Sequence, residues 1–126
     1  MRRKTLNIIE IKDRTPELTE KLLSVWESSV RATHLFLSPG AIEAIKAFVP
    51  QALAVVPKLI IAEDDNGSPL GFLGIDDKKV EMLFVADEHR SRGIGSALLG
   101  YGIEQYGVND LAVNEQNPLA KGFYEH

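Results

Sequence analysis

The apolar run Val80-Glu81-Met82-Leu83-Phe84-Val85 leads within a few residues into the basic, glycine-bearing segment Arg90-Ser91-Arg92-Gly93-Ile94-Gly95, and a helix-like stretch begins near Ser96. A strand, a tight basic loop and a helix start in that order restrict the chain to folds that stand a helix N-terminus at the end of a strand. Together they make a pocket for phosphate. Two glycines let the backbone turn and approach a ligand closely, and the first N–H groups of the following helix have no intrahelical partner. They can point at an anion, which the helix dipole also favours. Arg90 and Arg92 either add charge to that pocket or stand as solvated surface arginines. Other phosphate motifs fit worse: no Gly-Lys-Ser/Thr ending marks a P-loop, and Leu98 holds the place of the third glycine of a dinucleotide fingerprint.

Composition narrows the class. A chain of 126 residues suits one domain, here taken as residues 1–126. With no cysteine it has no disulfide, no thiolate zinc site and no cysteine nucleophile, so any chemistry through an acyl-cysteine is excluded. Three scattered histidines without ligand spacing give no case for a metal. The net charge of −4 argues against nucleic acid as a main partner, while a basic loop on an acidic chain suits a small anion. Met1-Arg2-Arg3-Lys4 is not followed by the ~7–15-residue apolar core of a secretory signal. No apolar run approaches the ~20 residues that span a bilayer, so a cytoplasmic chain without membrane contact is expected.

The remaining elements alternate. A strand is predicted over residues 6–11, and Thr15-Pro16-Glu17 then opens a helix with a capping hydroxyl, a proline at its first position and an acid behind it. Leu18, Leu22, Val25, Trp26 and Ser29 recur at helical spacing on its inner face. A second helix is predicted over residues 38–54, with Ile42, Ile45 and Val49 as its stripe and Pro50 as a kink or stop. Strands follow over 58–63, 70–75 and 80–85, joined by turn chemistry at 64–68 and 76–79. A helix over 96–106 carries Gly100 and Gly102, both expected to pack closely on a strand, and Gly107 fits its C′ position. Residues 108–113 read as a strand and 117–124 as a last helix.

Downstream of the loop stands Val113-Asn114-x-x-Asn117-x-x-Ala120-x-x-Phe123-Tyr124. With Arg90-x-x-Gly93-x-Gly95 before it, the chain resembles the GNAT superfamily of acetyl-CoA-dependent N-acetyltransferases, which carry both motifs in this order. The resemblance covers roughly residues 5–126 and is most specific over 80–124. It implies an α/β (α+β) fold with a mixed central sheet flanked by helices. It also implies direct transfer of acetyl from acetyl-CoA to a primary amine of a small molecule or peptide. Under it, backbone groups of Leu83, Phe84 and Val85 hold the pantetheine arm and polarise the thioester carbonyl. Arg90, Arg92, Gly93, Ile94, Gly95 and Ser96 cradle the pyrophosphate, Asn117 bonds the arm, and Tyr124 protonates the departing thiolate.

Several residues carry two readings. Asn117, before Pro118, is also a good helix N-cap, and Tyr124 can be a half-buried aromatic. Glu81 serves as general base or as a charge at the pocket's edge. His34 lies in Trp26-x-x-x-Val30-x-Ala32-Thr33-His34-x-Phe36-Leu37, a region that lines the acceptor pocket in GNAT enzymes. A histidine side chain in general titrates near neutrality and can carry the amine proton; alternatively His34 bonds carbonyls at a helix end. His89 is expected to face solvent. Where many relatives place a proline before the loop, this chain has Ala86-Asp87-Glu88.

In the superfamily a β-hairpin normally follows the helix that bears the tyrosine, and here the sequence ends at His126. The strand over 108–113 is then expected to expose an edge that a second copy covers as a homodimer. A non-catalytic module that binds CoA or oligomerises is the alternative to the enzyme. The acidic balance leans toward a cationic acceptor.

Overall fold

The computed structural model describes residues 6–33, 38–89 and 93–111. Five strands form one sheet: β1 (Asn7–Ile11), β2 (Lys58–Glu63), β3 (Pro69–Asp76), β4 (Lys79–Val85) and β5 (Asp110–Leu111). They lie side by side in chain order, antiparallel from β1 to β4, with β5 parallel to β4. Helices α1 (Pro16–Thr33), α2 (Pro39–Lys46) and α3 (Val49–Val55) separate β1 from β2, and α4 (Ile94–Tyr106) separates β4 from β5.

Both faces of the sheet are covered. Leu59 and Ile61 of β2 pack with Leu22, Val25, Trp26 and Val30 of α1 and Leu53 of α3. Ile60 and Ala62, pointing the other way, pack with Ile94 and Leu98 of α4. This is why β2 reads as an unbroken apolar run and not as an alternation. Each fully buried Leu or Ile contributes about 1.5–3 kcal/mol.

Local chemistry sets the boundaries. Thr15 caps α1, its hydroxyl accepting from the Leu18 N–H at 3.1 Å, and Ser38 does the same for α2 through the Ala41 N–H at 3.1 Å. Asp64 builds the β2–β3 turn, its Oδ1 accepting from the N–H groups of Asn66 and Ser68 at 2.9 and 3.0 Å. Asp77 and Lys78 join β3 to β4 with φ of 47° and 69°, both left-handed, as a two-residue hairpin that follows the strand twist requires. Gly107 ends α4 at φ 63°: its N–H reaches Ile103 O at 3.1 Å, and the Val108 N–H reaches Gly102 O at 3.3 Å.

Four expectations change. The predicted second helix is two: α2 ends at Lys46, and α3 starts at Val49 with Pro50 in its first turn. Proline has no N–H to give the Lys46 carbonyl and its ring crowds that oxygen, so the break falls before Pro50 rather than at it. Ile45 is thereby turned outward, 43% exposed, and Leu53 at 1% takes a core place beside Ile42 and Val49. Gly102 packs as expected, since a Cβ there would lie 3.1–3.2 Å from Ile75, Leu73 and Val108, whereas Gly100 has open space around it. Helix α4 begins at Ile94, two residues before Ser96. The predicted last helix, over 117–124, lies outside the described residues, as does the predicted strand beyond Leu111.

Candidate active site

The site is built where β4 hands over to α4. Pairing of β3 with β4 contains a slip: Ile75 faces Val80 and Gly74 faces Met82, leaving Glu81 as an extra residue in β4. The bulge explains a side-chain pattern that simple alternation forbids. Val80 and Leu83 are three positions apart, yet both are buried on the α4 face, while Met82 and Phe84 pack on the α1 face. Bulges re-aim side chains in this way and concentrate near active sites. Glu81 itself is exposed.

Beyond Val85 the backbone is tied down before it turns. The Ala86 N–H donates to Leu70 O at 2.9 Å, and the short 3-10 turn Asp87–His89 closes with the His89 N–H on Ala86 O at 2.9 Å. His89 is half-buried rather than solvent-facing, and its Nδ1 is buried with no hydrogen-bond partner among the described residues. The turn lies against α1 and the end of the sheet, which takes that ring face away from water.

Gly93 then opens α4 with φ 78° and ψ 8°, in the left-handed region that favours glycine. As the N-cap residue it offers no side-chain acceptor, and the helical ladder starts with the Ala97 N–H on Gly93 O at 2.9 Å. The N–H groups of Ile94, Gly95 and Ser96 therefore form an uncapped N-terminus of the kind that binds anions. Ile94 is buried against β2 and β3 and anchors this turn, Gly95 is buried, and Ser96 is exposed. Close approach of Ile94 depends on Gly71 in β3, where a Cβ would stand 3.3 Å from Ile94 Cγ2 and 2.9 Å from Phe84 O.

Of the backbone proposed for the pantetheine arm, Leu83 is buried, and Phe84 and Val85 are half-buried. Within the described residues β5 pairs with β4 only at Lys79 and Val80, so residues 83–85 lie beyond that pairing. Arg90, Arg92, His34, Asn117 and Tyr124 lie outside the described residues.

The chain matches the family described as Acetyltransferase (GNAT) domain over residues 57–126. This protein belongs to the GNAT acetyltransferases. Peptidyl-lysine N-acetyltransferase YjaB of Salmonella typhimurium is 34% identical over 118 residues, covering 94% of this chain and 81% of the relative. The solution structure of apo YjaB from Escherichia coli superposes with a TM-score of 0.80 at 30% identity, over 96% of this chain and 80% of that one. The PaiA N-acetyltransferase from Thermoplasma acidophilum, solved with coenzyme A, shares the fold at a TM-score of 0.65 and 21% identity, over 96% and 87%. The acetyltransferase is thus an enzyme of the acetyl-CoA-dependent GNAT class, with the mixed sheet and flanking helices of that fold.

Two features of this GNAT enzyme escaped the sequence reading. Arg31 Nε lies 2.6 Å from Glu27 Oε2 within α1 and Arg31 NH2 lies 2.9 Å from Glu43 Oε2 of α2, while Lys46 Nζ lies 2.7 Å from Glu27 Oε1. The Lys46 hydrogen bond, helped by Arg31, holds the Glu27 carboxyl below its ordinary range, and the same bond raises the Lys46 ammonium. The network joins α1 to α2 on either side of the segment that holds His34. Its i,i+4 half is readable as a helix pair; the half that crosses to α2 is not. The second is an open cleft of about 490 Å³ at the opposite end of the sheet from Gly93, lined by Glu10, Lys12, Arg14 and Lys58 among others. There Arg14 donates to the carbonyls of Leu53, Ala54 and Pro57 at 2.9–3.2 Å, closing the C-terminus of α3. No helix among the described residues is long and apolar enough to cross a membrane.

Proposed function

We propose that this acetyltransferase moves the acetyl group of acetyl-CoA directly to the primary amine of a lysine side chain in a peptide, within a ternary complex. The observation that carries it is the uncapped, Gly93-opened N-terminus of α4 at the end of β4, which offers backbone donors to a pyrophosphate. Lysine as acceptor is favoured by the name of the 34%-identical relative. With no cysteine in the chain, transfer needs no acyl-cysteine, and the amine meets the thioester itself.

Each group has a defined task. The N–H groups of Ile94, Gly95 and Ser96, with Arg90 and Arg92, hold the pyrophosphate; residues 83–85 and Asn117 hold the pantetheine arm. A lysine amine with a pKa near ~10.4 is almost wholly protonated at neutral pH, so a base must take its proton before attack. Glu81, exposed on the bulge of β4, and His34 are the candidates. As the amine nitrogen bonds to the carbonyl carbon, charge builds on the carbonyl oxygen, where fixed backbone donors of β4 stabilise it. The carbon–sulfur bond then breaks, and the Tyr124 hydroxyl gives the thiolate its proton.

Initial rates with a lysine peptide and acetyl-CoA, varied together, test the reading. Intersecting double-reciprocal lines are expected, and parallel lines would show a covalent acetyl-enzyme instead. Tyr124→Phe is expected to lower kcat by about a hundredfold or more, the lower end for general acid catalysis, with acetyl-CoA affinity within about twofold; an unchanged kcat removes the acid role.

A further inference from the structure

Ser28 belongs to none of the motifs, yet its hydroxyl makes a contact between helix α1 and the approach to the cofactor loop. The Asp87 backbone N–H donates to Ser28 Oγ at 3.0 Å, across 59 positions of chain. A serine inside a helix commonly turns its hydroxyl back to the carbonyl one turn earlier. Ser24 does so, its hydroxyl donating to Glu20 O at 3.2 Å. The Ser28 oxygen instead accepts from another element.

The 3-10 turn Asp87–His89 is held by β3 through Ala86, by its own closing bond at His89, and by Ser28. The first two are backbone to backbone. Of these three, the last is made by a side chain, so a substitution can delete it. We propose that Ser28 is a positioning residue for acetyl-CoA binding: its hydroxyl fixes the turn from which the chain proceeds to Gly93, and so fixes the first turn of α4 relative to α1. The inference rests on the reading that this turn of α4 holds the pyrophosphate. The Asp87–Ser28 bond lies at the surface, so water can replace the hydroxyl, and alanine suits a helix at least as well as serine. Loss of the hydroxyl therefore affects the fold little and loosens the turn.

Calorimetric titration of the full chain with acetyl-CoA decides it, using wild type, Ser28→Ala, Ser28→Thr and Arg92→Ala. Ser28→Ala is expected to raise Kd about threefold to tenfold, the size of one neutral hydrogen bond, with kcat at saturating acetyl-CoA unchanged and Tm within about 2 °C. Ser28→Thr keeps the hydroxyl and is expected to restore affinity. Wild-type affinity in Ser28→Ala with weakened binding in Arg92→Ala overturns the proposal and leaves the pyrophosphate reading standing. Wild-type affinity in both variants overturns the proposal and removes Arg92 from the site, and no heat of acetyl-CoA binding in the wild type overturns both readings. A loss in Ser28→Ala that threonine does not restore, or one accompanied by a falling Tm, marks a packing effect and also overturns it.

Discussion

Gly71→Ala is the substitution that most directly tests how the sheet positions the first turn of α4. A Cβ at Gly71 would stand 2.9 Å from Phe84 O, a backbone atom held in the β3–β4 ladder, and 3.3 Å from both Ile94 Cγ2 and Val85 Cγ2. Ordinary contact begins at 3.4 Å, so either β4 or the first turn of α4 has to move by a few tenths of an ångström. Overpacking of this kind costs about 1–3 kcal/mol. At a sensitivity of about 3–6 °C per kcal/mol for a domain of this size, Tm should fall by roughly 3–18 °C. Gly100→Ala is the control, because Gly100 is helical with nothing within 4 Å of its Cβ position. Alanine there should stabilise by about 0.5–1 kcal/mol and raise Tm by a few degrees. Differential scanning calorimetry on the two variants reads opposite signs if the argument holds. Gly71→Ala melting within 2 °C of wild type would refute the close approach at Gly71, and a fall in Gly100→Ala would refute the open space around Gly100.

Two further outcomes are expected. Thr15→Ala removes the oxygen that accepts from the Leu18 N–H, which should cost about 0.5–2 kcal/mol, visible as an earlier midpoint in urea at unchanged slope. Glu27 has a lowered folded value, so its contribution is fully present above the unfolded glutamate pKa of ~4.3 and is lost as pH falls below that toward the folded value. Lys46 has a raised value, so its contribution is present below ~10.4 and is lost as pH rises through the folded value. Glu27→Gln should therefore flatten the acid arm of the stability profile and, by removing the partner of Lys46, the alkaline arm as well. Both differences should shrink in high salt because the network is solvent-accessible; equal profiles for variant and wild type would mean the pairs contribute nothing.

Strands and turns were legible where each residue's own chemistry decides the matter. Residues 58–63 form β2 as read, and Asp64, Gly67, Thr15 and Gly107 occupy the turn and cap positions their side chains or φ values predict. One helix with a kink or stop at Pro50 is what the sequence suggests for residues 38–54, because the stripe of Ile42, Ile45 and Val49 continues at helical spacing through the break between α2 and α3. Periodicity records which residues could share a face, but proline's demand falls on the carbonyl four residues earlier. The face swap in β4 was hidden for the opposite reason. Nothing in Val80-Glu81-Met82-Leu83 announces a bulge, since the extra residue exists only relative to the register of β3.

The same distinction explains the site. An anion held by backbone N–H groups requires glycine at a left-handed position and a helix without a capping side chain, and these are properties of Gly93 and its immediate neighbours. Such a site can be read from six consecutive residues. Ser28 on Asp87, Glu27 on Lys46, and Gly71 beneath Ile94 join residues far apart in sequence, and each residue alone is an ordinary serine, glutamate or glycine. They acquire meaning only once the topology lays α1 against the end of β4. On the proposed reading, cofactor binding depends on the local conformational signal at Gly93 and on distant contacts made by the turn Asp87–His89 and the first turn of α4. Variants of the second kind should alter acetyl-CoA affinity while leaving the motif intact.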